Sequence, residues 1–412
     1  MKWPMVTLDT VLASLEAGSR PRGGTKDVKD GVPSLGGEHL NNNGGFNFTS
    51  LKYIPEEHFA IMRKGIIRLH DILMVKDGAT TGKTSFVRDD FPFEHAAVNE
   101  HVFIVRVRPE IIHPAFAFYF LFSKRGQAEI HKDFRGATIG GISRQFPKKV
   151  NIPLPPLSEQ RRIVEILDQA DALRKKRAEA DAKAARILPA LFYEMFGDPA
   201  TNPKGLPKTS IRNIVIRVDR RNPSDRPEEY FTYIDIAGVD GETGEIVETK
   251  RLIGSDAPSR ARQILKAKDV LVSTVRPYLR ATALVPDELD NQICSTGFCV
   301  LRPKEGFGYG FLYAMSRLPW FTEQLNMRAR GASYPAVTDA DILNLEIPRS
   351  TNEAQIKLFD QWVDGVIDLQ RGRRVICQRL ETLFAVLLHR AFTGDLTARW
   401  REAHMEELLE EM

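Results

Sequence analysis

The sequence contains one pattern twice, at a fixed separation. Arg-Gly-Ala-Thr at residues 135–138, followed by Ile152-Pro153, returns as Arg-Gly-Ala-Ser at residues 330–333, followed by Ile347-Pro348. The Gly-Ala pairs and the Ile-Pro pairs share one offset of about 195 residues, so the spacing is repeated as well as the residues. The residues before each pattern agree in outline but hardly in identity. The repeat therefore predicts two similar frames with different surfaces, which is typical of a molecule that reads two targets at a fixed separation.

A long helical pattern follows each Ile-Pro pair, over residues 158–196 and 352–392. Both patterns are amphipathic, and the simplest partner for each helix is its copy, packed antiparallel as a coiled coil. An uninterrupted run from Ser158 to Leu188, ended by Pro189, is on the order of 45 Å long, which makes the helix pair a candidate spacer. The positions that we assign to helix packing or to subunit docking are Ile163, Ile166, Leu167, Leu173, Leu188, Leu380, Leu383 and Leu387.

Short apolar runs separated by glycine-containing turns precede each long helix. Such runs predict strands, and a further helix is predicted after each set, so each half reads as a mixed α/β domain. The predicted strands are residues 72–75, 84–87 and 102–105 in the first half and 270–273, 281–285 and 298–301 in the second, and the predicted helices are 114–130 and 309–325.

Composition sets only broad limits. A chain of 412 residues with 42% apolar residues can form two or three domains with cores of their own. The net charge of +4 permits a nucleic-acid partner without requiring one. Cys294, Cys299 and Cys377 form no paired framework, which favours buried thiols in a reducing compartment. With no signal-peptide pattern and no apolar run long enough to cross a bilayer, we expect a cytoplasmic protein without a membrane partner.

The segment from Gly78 to Lys83 resembles a phosphate-binding loop. It has three residues between its glycines where that loop needs four, and the residues after it do not form the helix that would hold the anion. Elsewhere the histidines lack metal-ligand spacing, and no methyltransferase signature is present. The sequence therefore predicts neither a catalytic residue nor a metal site.

Basic and polar residues concentrate where loops are expected, in both halves. Arginine and glutamine suit base edges, and lysine suits phosphates, so the recurrence favours a nucleic-acid surface over isolated solvated charges. The candidate DNA-binding residues are Arg20, Arg22, Lys76, Lys83, Thr138, Arg144 and Gln145 in the first half and Arg221, Arg276, Tyr278, Arg280, Arg330 and Tyr334 in the second.

The chain resembles the specificity subunits of type I restriction-modification systems over essentially its whole length. The most specific match runs from residues 136–138 through Val-Asn-Ile-Pro-Leu-Pro-Pro-Leu-Ser-Glu-Gln at residues 150–160, with further matches at residues 71–83 and 391–396. The second half departs from the pattern. Arg-Ser-Thr-Asn-Glu at residues 349–353 stands where Pro-Pro-Leu-Ser-Glu is expected, and Gln355 is displaced by one residue.

The resemblance implies an α+β fold in which two similar mixed α/β target-recognition domains are separated by two long helices packed as an antiparallel coiled coil. The implied boundaries are residues 1–150 for the first recognition domain, 151–198 for the central helix, 199–348 for the second recognition domain, 349–396 for the distal helix and 397–412 for an acidic C-terminal tail.

The resemblance also implies a function. Each recognition domain reads one half of an asymmetric, bipartite site in double-stranded DNA, and the helices set the gap and dock two methylation subunits. Restriction subunits that translocate and cut DNA join this core. The chain itself is then non-catalytic and without cofactor, while S-adenosylmethionine, ATP and Mg belong to the partner subunits.

Two other classes of function stay open on the sequence alone. One is a nucleotide-using enzyme built around Lys83, which loss of nucleotide binding in Lys83→Ala would support. The other is a coiled-coil scaffold without a DNA role, which salt-insensitive binding would support.

Overall fold

Each half of the repeat folds around its own sheets. The computed structural model describes residues 3–21, 24–25, 28–136 and 140–411. They form two units: unit 1 comprises the residues up to Lys176 and those from Cys377 onward, and unit 2 comprises Arg177–Ile376. The unit boundaries fall inside the long helices, because each part of a helix is grouped with the domain that it touches. The domain boundaries predicted from the sequence stay a prediction.

Unit 1 contains an antiparallel sheet in the order β2-β8-β5-β6, a smaller sheet β4-β3-β7 and the pair β1-β9. Its strands are β1 (Met5–Thr7), β2 (Leu12–Ala17), β3 (Val32–Leu35), β4 (Lys52–Ile54), β5 (Ile72–Val75), β6 (Thr84–Phe86), β7 (Ala97–Val98), β8 (Val102–Val107) and β9 (Asn151–Pro153). The helices before the long one are α1 (Glu56–Ile61), α2 (Pro114–Phe122) and α3 (Lys124–His131).

Unit 2 repeats this plan with sheets β11-β20-β17-β18 and β15-β12-β19-β16 and the pairs β10-β21 and β13-β14. Its strands are β10 (Lys208–Ser210), β11 (Val215–Ile216), β12 (Tyr230–Ile234), β13 (Val239–Asp240), β14 (Glu245–Ile246), β15 (Lys250–Ile253), β16 (Ala261–Ile264), β17 (Val270–Ser273), β18 (Thr282–Leu284), β19 (Ile293–Ser295), β20 (Phe298–Pro303) and β21 (Glu346–Pro348). Its helices outside the long ones are α6 (Ile211–Ile214), α7 (Tyr309–Ser316), α8 (Pro319–Arg328) and α9 (Asp339–Leu343).

Predicted strands form the hairpins β5-β6 in unit 1 and β17-β18 in unit 2, and an equivalent buried ion pair fixes each hairpin. In unit 1, Arg106 on β8 donates to Asp71 at 2.7 Å, and in unit 2, Arg302 on β20 donates to Asp269 at 2.7 Å. The two carboxylates are 1% and 0% exposed. Burial raises the pKa of both aspartates against the opposing effect of their arginines. A charge this deeply buried persists only when it is paired, so the ion pair fixes where each hairpin begins.

The helices predicted over residues 114–130 and 309–325 are each broken in two, which corrects the single helices expected. In unit 1, the Ser123 hydroxyl accepts a hydrogen bond from Gly126 N at 3.1 Å and caps α3, so α2 ends before it. In unit 2, Pro319 occupies the first turn of α8, and α7 ends at Ser316. Proline disfavours helical backbone in the residue before it, which places the break there.

The long helices are α4 (Leu157–Ala184), α5 (Ile187–Phe196) and α10 (Glu353–Thr393). The uninterrupted run expected up to Leu188 is wrong, because the helix already breaks after Ala184. Pro189 has no N–H for the carbonyl of Ala185, and its ring clashes with that carbonyl. Pro189 therefore lies inside the first turn of α5 and terminates the helix four residues upstream.

The start of α10 corrects a second expectation. Gln160 stands eight residues after Ile152, and Gln355 stands eight residues after Ile347, so Gln355 is not displaced. Gln160 donates to Pro155 O at 2.8 Å, whereas Gln355 donates to Met195 O at 3.1 Å. Both glutamines hold the first turn of a long helix through a backbone carbonyl.

Within each unit the two long helices run antiparallel. In unit 1, Arg174 on α4 donates to Glu381 on α10 at 2.7 Å, while Glu159 at the start of α4 lies beyond the end of α10. In unit 2, Arg373 Nε donates to Asp181 at 2.7 Å, and Phe192 and Phe196 on α5 contact Phe359 near the start of α10.

The predicted packing positions divide into two groups. Ile163, Leu167 and Leu188 are buried, and Ile166, Leu380 and Leu387 are half-buried. Leu173 and Leu383 are 56% and 49% exposed and lie outside the packed stripe.

Residues 397–411 fold back onto unit 1 as α11 (Ala398–Ala403) and α12 (Met405–Glu410). Arg401 donates to Glu159 in the first turn of α4 at 2.8 Å, and Thr397 donates to the same carboxylate at 2.7 Å. Trp3 Nε1 donates to its other oxygen at 2.9 Å. The acidic segment is thus an integral part of the fold, held by a glutamate that is 1% exposed.

Candidate nucleic-acid interface

The turn between β5 and β6, residues 76–83, pairs with residues 135–136 and 140–142 of the returning segment in unit 1. We call this pair of segments the reading platform. Gly78 N donates to Gly140 O at 3.0 Å, and Ile142 N donates to Lys76 O at 2.8 Å. Arg135 and Gly141 exchange backbone hydrogen bonds of 3.0 and 2.9 Å. Each segment is therefore positioned by backbone groups, which leaves its side chains available for other contacts.

Unit 2 builds the same platform from residues 274–281 and 330–336. Arg276 N donates to Pro335 O at 2.7 Å, and Val337 N donates to Thr274 O at 2.8 Å. Arg330 and Ala336 exchange two hydrogen bonds of 2.9 Å. The repeated Arg-Gly-Ala pattern of the sequence thus marks the returning segment of the platform in each unit.

The two turns share their backbone conformation at two positions and differ in their side chains there. Gly78 and Gly82 have φ of 94° and 88°, and Arg276 and Arg280 at the matching positions have φ of 50° and 54°. Glycine adopts positive φ freely, whereas a residue with a long side chain is strained there by about 1 kcal/mol or more. Strain of this kind concentrates at functional sites, so the arginines of unit 2 merit a functional explanation.

Five of the six candidate residues of unit 2 lie on this platform, and Arg221 lies outside it. The Arg276 guanidinium lies 4.5 Å from the centre of the Tyr334 ring. Arg330 is 79% exposed in its side chain, and Tyr334 and Tyr278 are 69% and 51% exposed. Arg280 donates to Arg317 O at 2.5 Å. Arg221 is half-buried, and its backbone N donates to Arg262 O at 2.9 Å.

In unit 1 the candidate cations are largely paired within the protein. Lys83 Nζ donates to Leu40 O at 2.9 Å, and Lys76 Nζ donates to Glu100 O at 2.7 Å. Arg20 pairs with Glu100 at 2.7 Å. An ammonium group held by backbone carbonyls is poorly placed for phosphate, which also argues against a nucleotide site at Lys83.

Of the other candidates in unit 1, Arg144 and Gln145 are exposed beside the returning segment. Arg22 and Thr138 lie outside the described residues. All of these assignments to DNA contact stay predictions.

Asp133 anchors the returning segment of unit 1 and was missed in the sequence. Its carboxylate accepts hydrogen bonds from Ser143 N at 2.8 Å, from Ser143 Oγ at 2.6 Å and from Lys149, with an ion pair to Arg135 at 3.2 Å. Burial raises the pKa of Asp133, but Lys149 and Ser143 outweigh it and bring the pKa to about 2. The Asp133 carboxylate thus contacts Arg135 before the returning segment turns back and Ser143 and Lys149 after it.

A second missed group attaches each domain to its long helix. In unit 1, Tyr119 donates to Asp168 at 2.7 Å, and Arg88 donates to the same oxygen at 2.9 Å. In unit 2, Tyr309 donates to Asp364 at 2.6 Å, and Lys268 donates to it at 2.7 Å. Burial, followed by the nearby aspartates, raises the pKa of Tyr309, which stays a hydrogen-bond donor. The sequence shows a tyrosine, a cation and a helix aspartate in each half, but it does not show that the three side chains contact one another.

Two further properties bear on function. Among the described residues, no group of His, Cys, Asp and Glu has the geometry to hold a metal ion. In the same part of the chain, no helix is both long and apolar enough to cross a membrane. Burial raises the pKa of the Cys294 and Cys299 thiols, which marks them as unreactive core residues.

Comparison with known proteins links the chain to one family of DNA-recognition subunits. Residues 1–181 match the type I restriction modification DNA specificity domain. The MjaVIII specificity subunit of a type I restriction enzyme from Methanocaldococcus jannaschii is 21% identical over 363 residues, which are 81% of each chain. These matches support a type I restriction-modification specificity subunit. The chain therefore recognises DNA sequence within its complex, and catalysis resides in other subunits.

Other similarities cover less sequence or only the fold. The HindI specificity subunit from Haemophilus influenzae is 29% identical over 126 residues, 29% of this specificity subunit and 28% of that one. The solved S subunit from M. genitalium shares 13% identity, covers 95% and 96% of the two chains and superposes with a TM-score of 0.55. A chain from a structural study of type I R-M complex assembly and conformational transition gives 20% identity, coverage of 96% and 98% and a TM-score of 0.53. These two similarities show that the specificity subunit has their fold over nearly its whole length.

Proposed function

We propose that each unit reads one half of an asymmetric, bipartite DNA site through its reading platform, and that the long helices set the gap and dock two methylation subunits. The observation that carries this proposal is the repeated platform, in which one hydrogen-bonded backbone carries different side chains. A sequence reader needs such an arrangement, because backbone geometry positions the domain and side chains determine which bases are accepted.

The difference between the platforms supports an asymmetric target. The unit 2 turn carries Arg276 and Arg280, whereas the unit 1 turn has Gly78 and Gly82 at the matching positions. The lysines of the unit 1 turn, Lys76 and Lys83, donate to backbone carbonyls instead. Two surfaces with such different donors and acceptors do not select the same bases. A palindromic target, which suits identical readers, is therefore not expected.

The outer surface of α10 supports docking of a protein partner. Trp362, Leu369 and Ile376 recur every seven residues and are 38%, 51% and 47% exposed. Apolar side chains at this spacing form a continuous stripe along one face of a helix, which is typical of a surface that another protein covers.

The chemistry belongs to the partners under this proposal. Methylation subunits bind S-adenosylmethionine and modify an adenine taken out of the base stack, and restriction subunits use ATP and Mg to translocate and cut DNA. The specificity subunit supplies no ligand to these cofactors and acts where the DNA is, in the cytoplasm.

The decisive experiment maps methylated adenines genome-wide in cells that express the specificity subunit with its methylation subunits. We expect one asymmetric motif in two parts, separated by a gap of unspecified sequence. Replacing residues 1–150 with the domain of a related subunit should then change one part and leave the other part and the gap unchanged. A continuous palindrome, or a change in both parts, contradicts the proposal.

A further inference from the structure

The Arg276 side chain stands apart from the other cations of the reading platforms. Among the described residues, no hydrogen bond or ion pair holds its guanidinium, and its Nε is buried without a partner. Arg280, at the other strained position, donates to Arg317 O at 2.5 Å instead. Arg276 therefore keeps its hydrogen-bonding capacity, whereas Arg280 uses part of its own within the protein.

The Tyr334 ring orients this free guanidinium. The separation of 4.5 Å between the Arg276 guanidinium carbon and the ring centre is typical of a cation–π contact. The contact joins the two segments of the platform, since Arg276 belongs to the turn and Tyr334 to the returning segment. An arginine held by an aromatic face keeps its planar N–H groups free for a ligand and loses little conformational entropy when it binds one.

The positive φ of Arg276 costs conformational energy, and a function of the side chain would account for that cost. Gly78 has the matching position in unit 1. The same backbone hydrogen bond to the returning segment is present in both units: Gly78 N donates to Gly140 O at 3.0 Å, and Arg276 N donates to Pro335 O at 2.7 Å. A Cβ at Gly78 would meet nothing within 4 Å, so only the positive φ favours glycine there. Residue 276 is thus an arginine at a position where the backbone conformation favours glycine.

Building on the proposed function, we infer that Arg276 is a specificity-determining residue that reads a guanine in the half-site bound by unit 2. The planar N–H groups of arginine match the O6 and N7 acceptors of guanine in the major groove, and this is the commonest base-specific contact that arginine makes. Arg330 has a different role. Its side chain is 79% exposed and lies 3.8 Å from Asp341. We assign it to phosphate contact, because an exposed cation suits a phosphate, and such a contact adds affinity without sequence preference.

The test uses the full-length chain assembled with its methylation subunits and duplexes in which each base pair of the target is replaced in turn. In Arg276→Gly, discrimination at one G·C pair of the unit 2 half should fall by about 5- to 150-fold, while every position of the unit 1 half keeps its preference. Glycine is the residue of unit 1 at this position, so the midpoint of thermal unfolding should not fall.

Three further variants separate base reading from general attraction. Arg330→Gln should weaken binding to all duplexes by a similar factor and reduce the slope of log affinity against log salt by about 1. Tyr334→Phe keeps the ring and should keep the guanine preference, whereas Tyr334→Ala should relax the same position that Arg276→Gly relaxes.

The inference is wrong if Arg276→Gly weakens all duplexes equally with a flatter salt dependence, or if it leaves every preference unchanged. A wild-type complex with one continuous target contradicts the proposed function instead. The Arg276 variant remains informative in that case, because the loss at guanine is measured base pair by base pair on whichever sequence is bound.

Discussion

At the scale of single residues, several side chains occupy environments or backbone conformations that their residue type disfavours. In each case a contacting side chain stabilises the arrangement. Asp71 and Asp269 are charges inside a core and persist because an arginine neutralises each of them. Arg276 adopts a backbone conformation that suits glycine, and the ring of Tyr334 fixes its side chain. The pairs could not be read from the sequence, because the partners are about 33 to 58 residues apart and carry no local signal.

Asp360 on α10 gives a pH-dependent prediction at this scale. Burial, together with the nearby charge of Asp364, raises its pKa from 3.8 to about 6, although Gly310 N donates to it at 2.8 Å. A raised pKa means that unit 2 is most stable below pH 4 with respect to this group and loses that stability as the pH rises from about 4 to 6. Asp360→Asn keeps the acceptor for Gly310 and removes the charge.

We therefore expect Asp360→Asn to raise the free energy of unfolding by on the order of 1 to 3 kcal/mol at pH 8 and to leave it nearly unchanged at pH 4. Urea unfolding at a series of pH values measures the difference. An equal effect at both pH values would show that the carboxyl is not titrating in this window.

At the scale of elements, all six predicted strands are present, whereas the shorter strands around them and the helix boundaries were not predicted. The runs at residues 72–75 and 270–273 are strands with these bounds, because apolar runs between turn residues are a local signal. Helix breaks depend on local chemistry that periodicity does not show, namely the cap at Ser123 and the prolines at Pro189 and Pro319. The folded C-terminal segment was also missed, since its main contact joins Arg401 with Glu159, which is 242 residues away in the sequence.

This contact gives a second prediction. Glu159→Ala leaves Arg401 buried without a counter-charge, which should lower the free energy of unfolding by about 3 to 5 kcal/mol and expose residues 397–411 to protease. Replacing both residues by methionine should cost less than the sum of the single changes, because neither charge is then left alone.

The exposed pair of Arg162 and Glu165, 2.6 Å apart on the same helix, is the matched control. Glu165→Ala should change stability by no more than about 1 kcal/mol. Comparable losses for Glu159→Ala and Glu165→Ala would contradict the role given to the buried carboxylate.

The stripe on α10 gives a third prediction. Leu369→Glu places a charge on the exposed apolar face and should weaken the association with methylation subunits by at least about tenfold without unfolding the chain, since a buried unpaired charge is costly. Gln378→Glu adds the same charge at another exposed position of α10 and should leave the association unchanged. Sedimentation of the mixed subunits measures both, and equal weakening by the two variants would exclude the stripe as the docking surface.

At the scale of the whole molecule, the repeat predicted the architecture, and the fold shared with solved S subunits confirms two similar mixed domains with long helices. The candidate DNA-binding residues were predicted only as a set, and their contact with DNA stays a prediction. Lys83 and Arg276 are both basic loop residues in the sequence, yet Lys83 Nζ donates to Leu40 O and the Arg276 guanidinium lies against the Tyr334 ring. Which cation is paired inside the protein depends on distant segments, and a single sequence does not reveal it.

The shared backbone of the reading platforms has an evolutionary consequence. Backbone hydrogen bonds close both platforms, with glycine at residue 78 and arginine at residue 276. Under the proposed function, a substitution at either residue would change which base is accepted and leave the backbone of the platform unchanged. Point mutation, without exchange of a whole domain, would then be enough to shift the target sequence in a lineage of this protein.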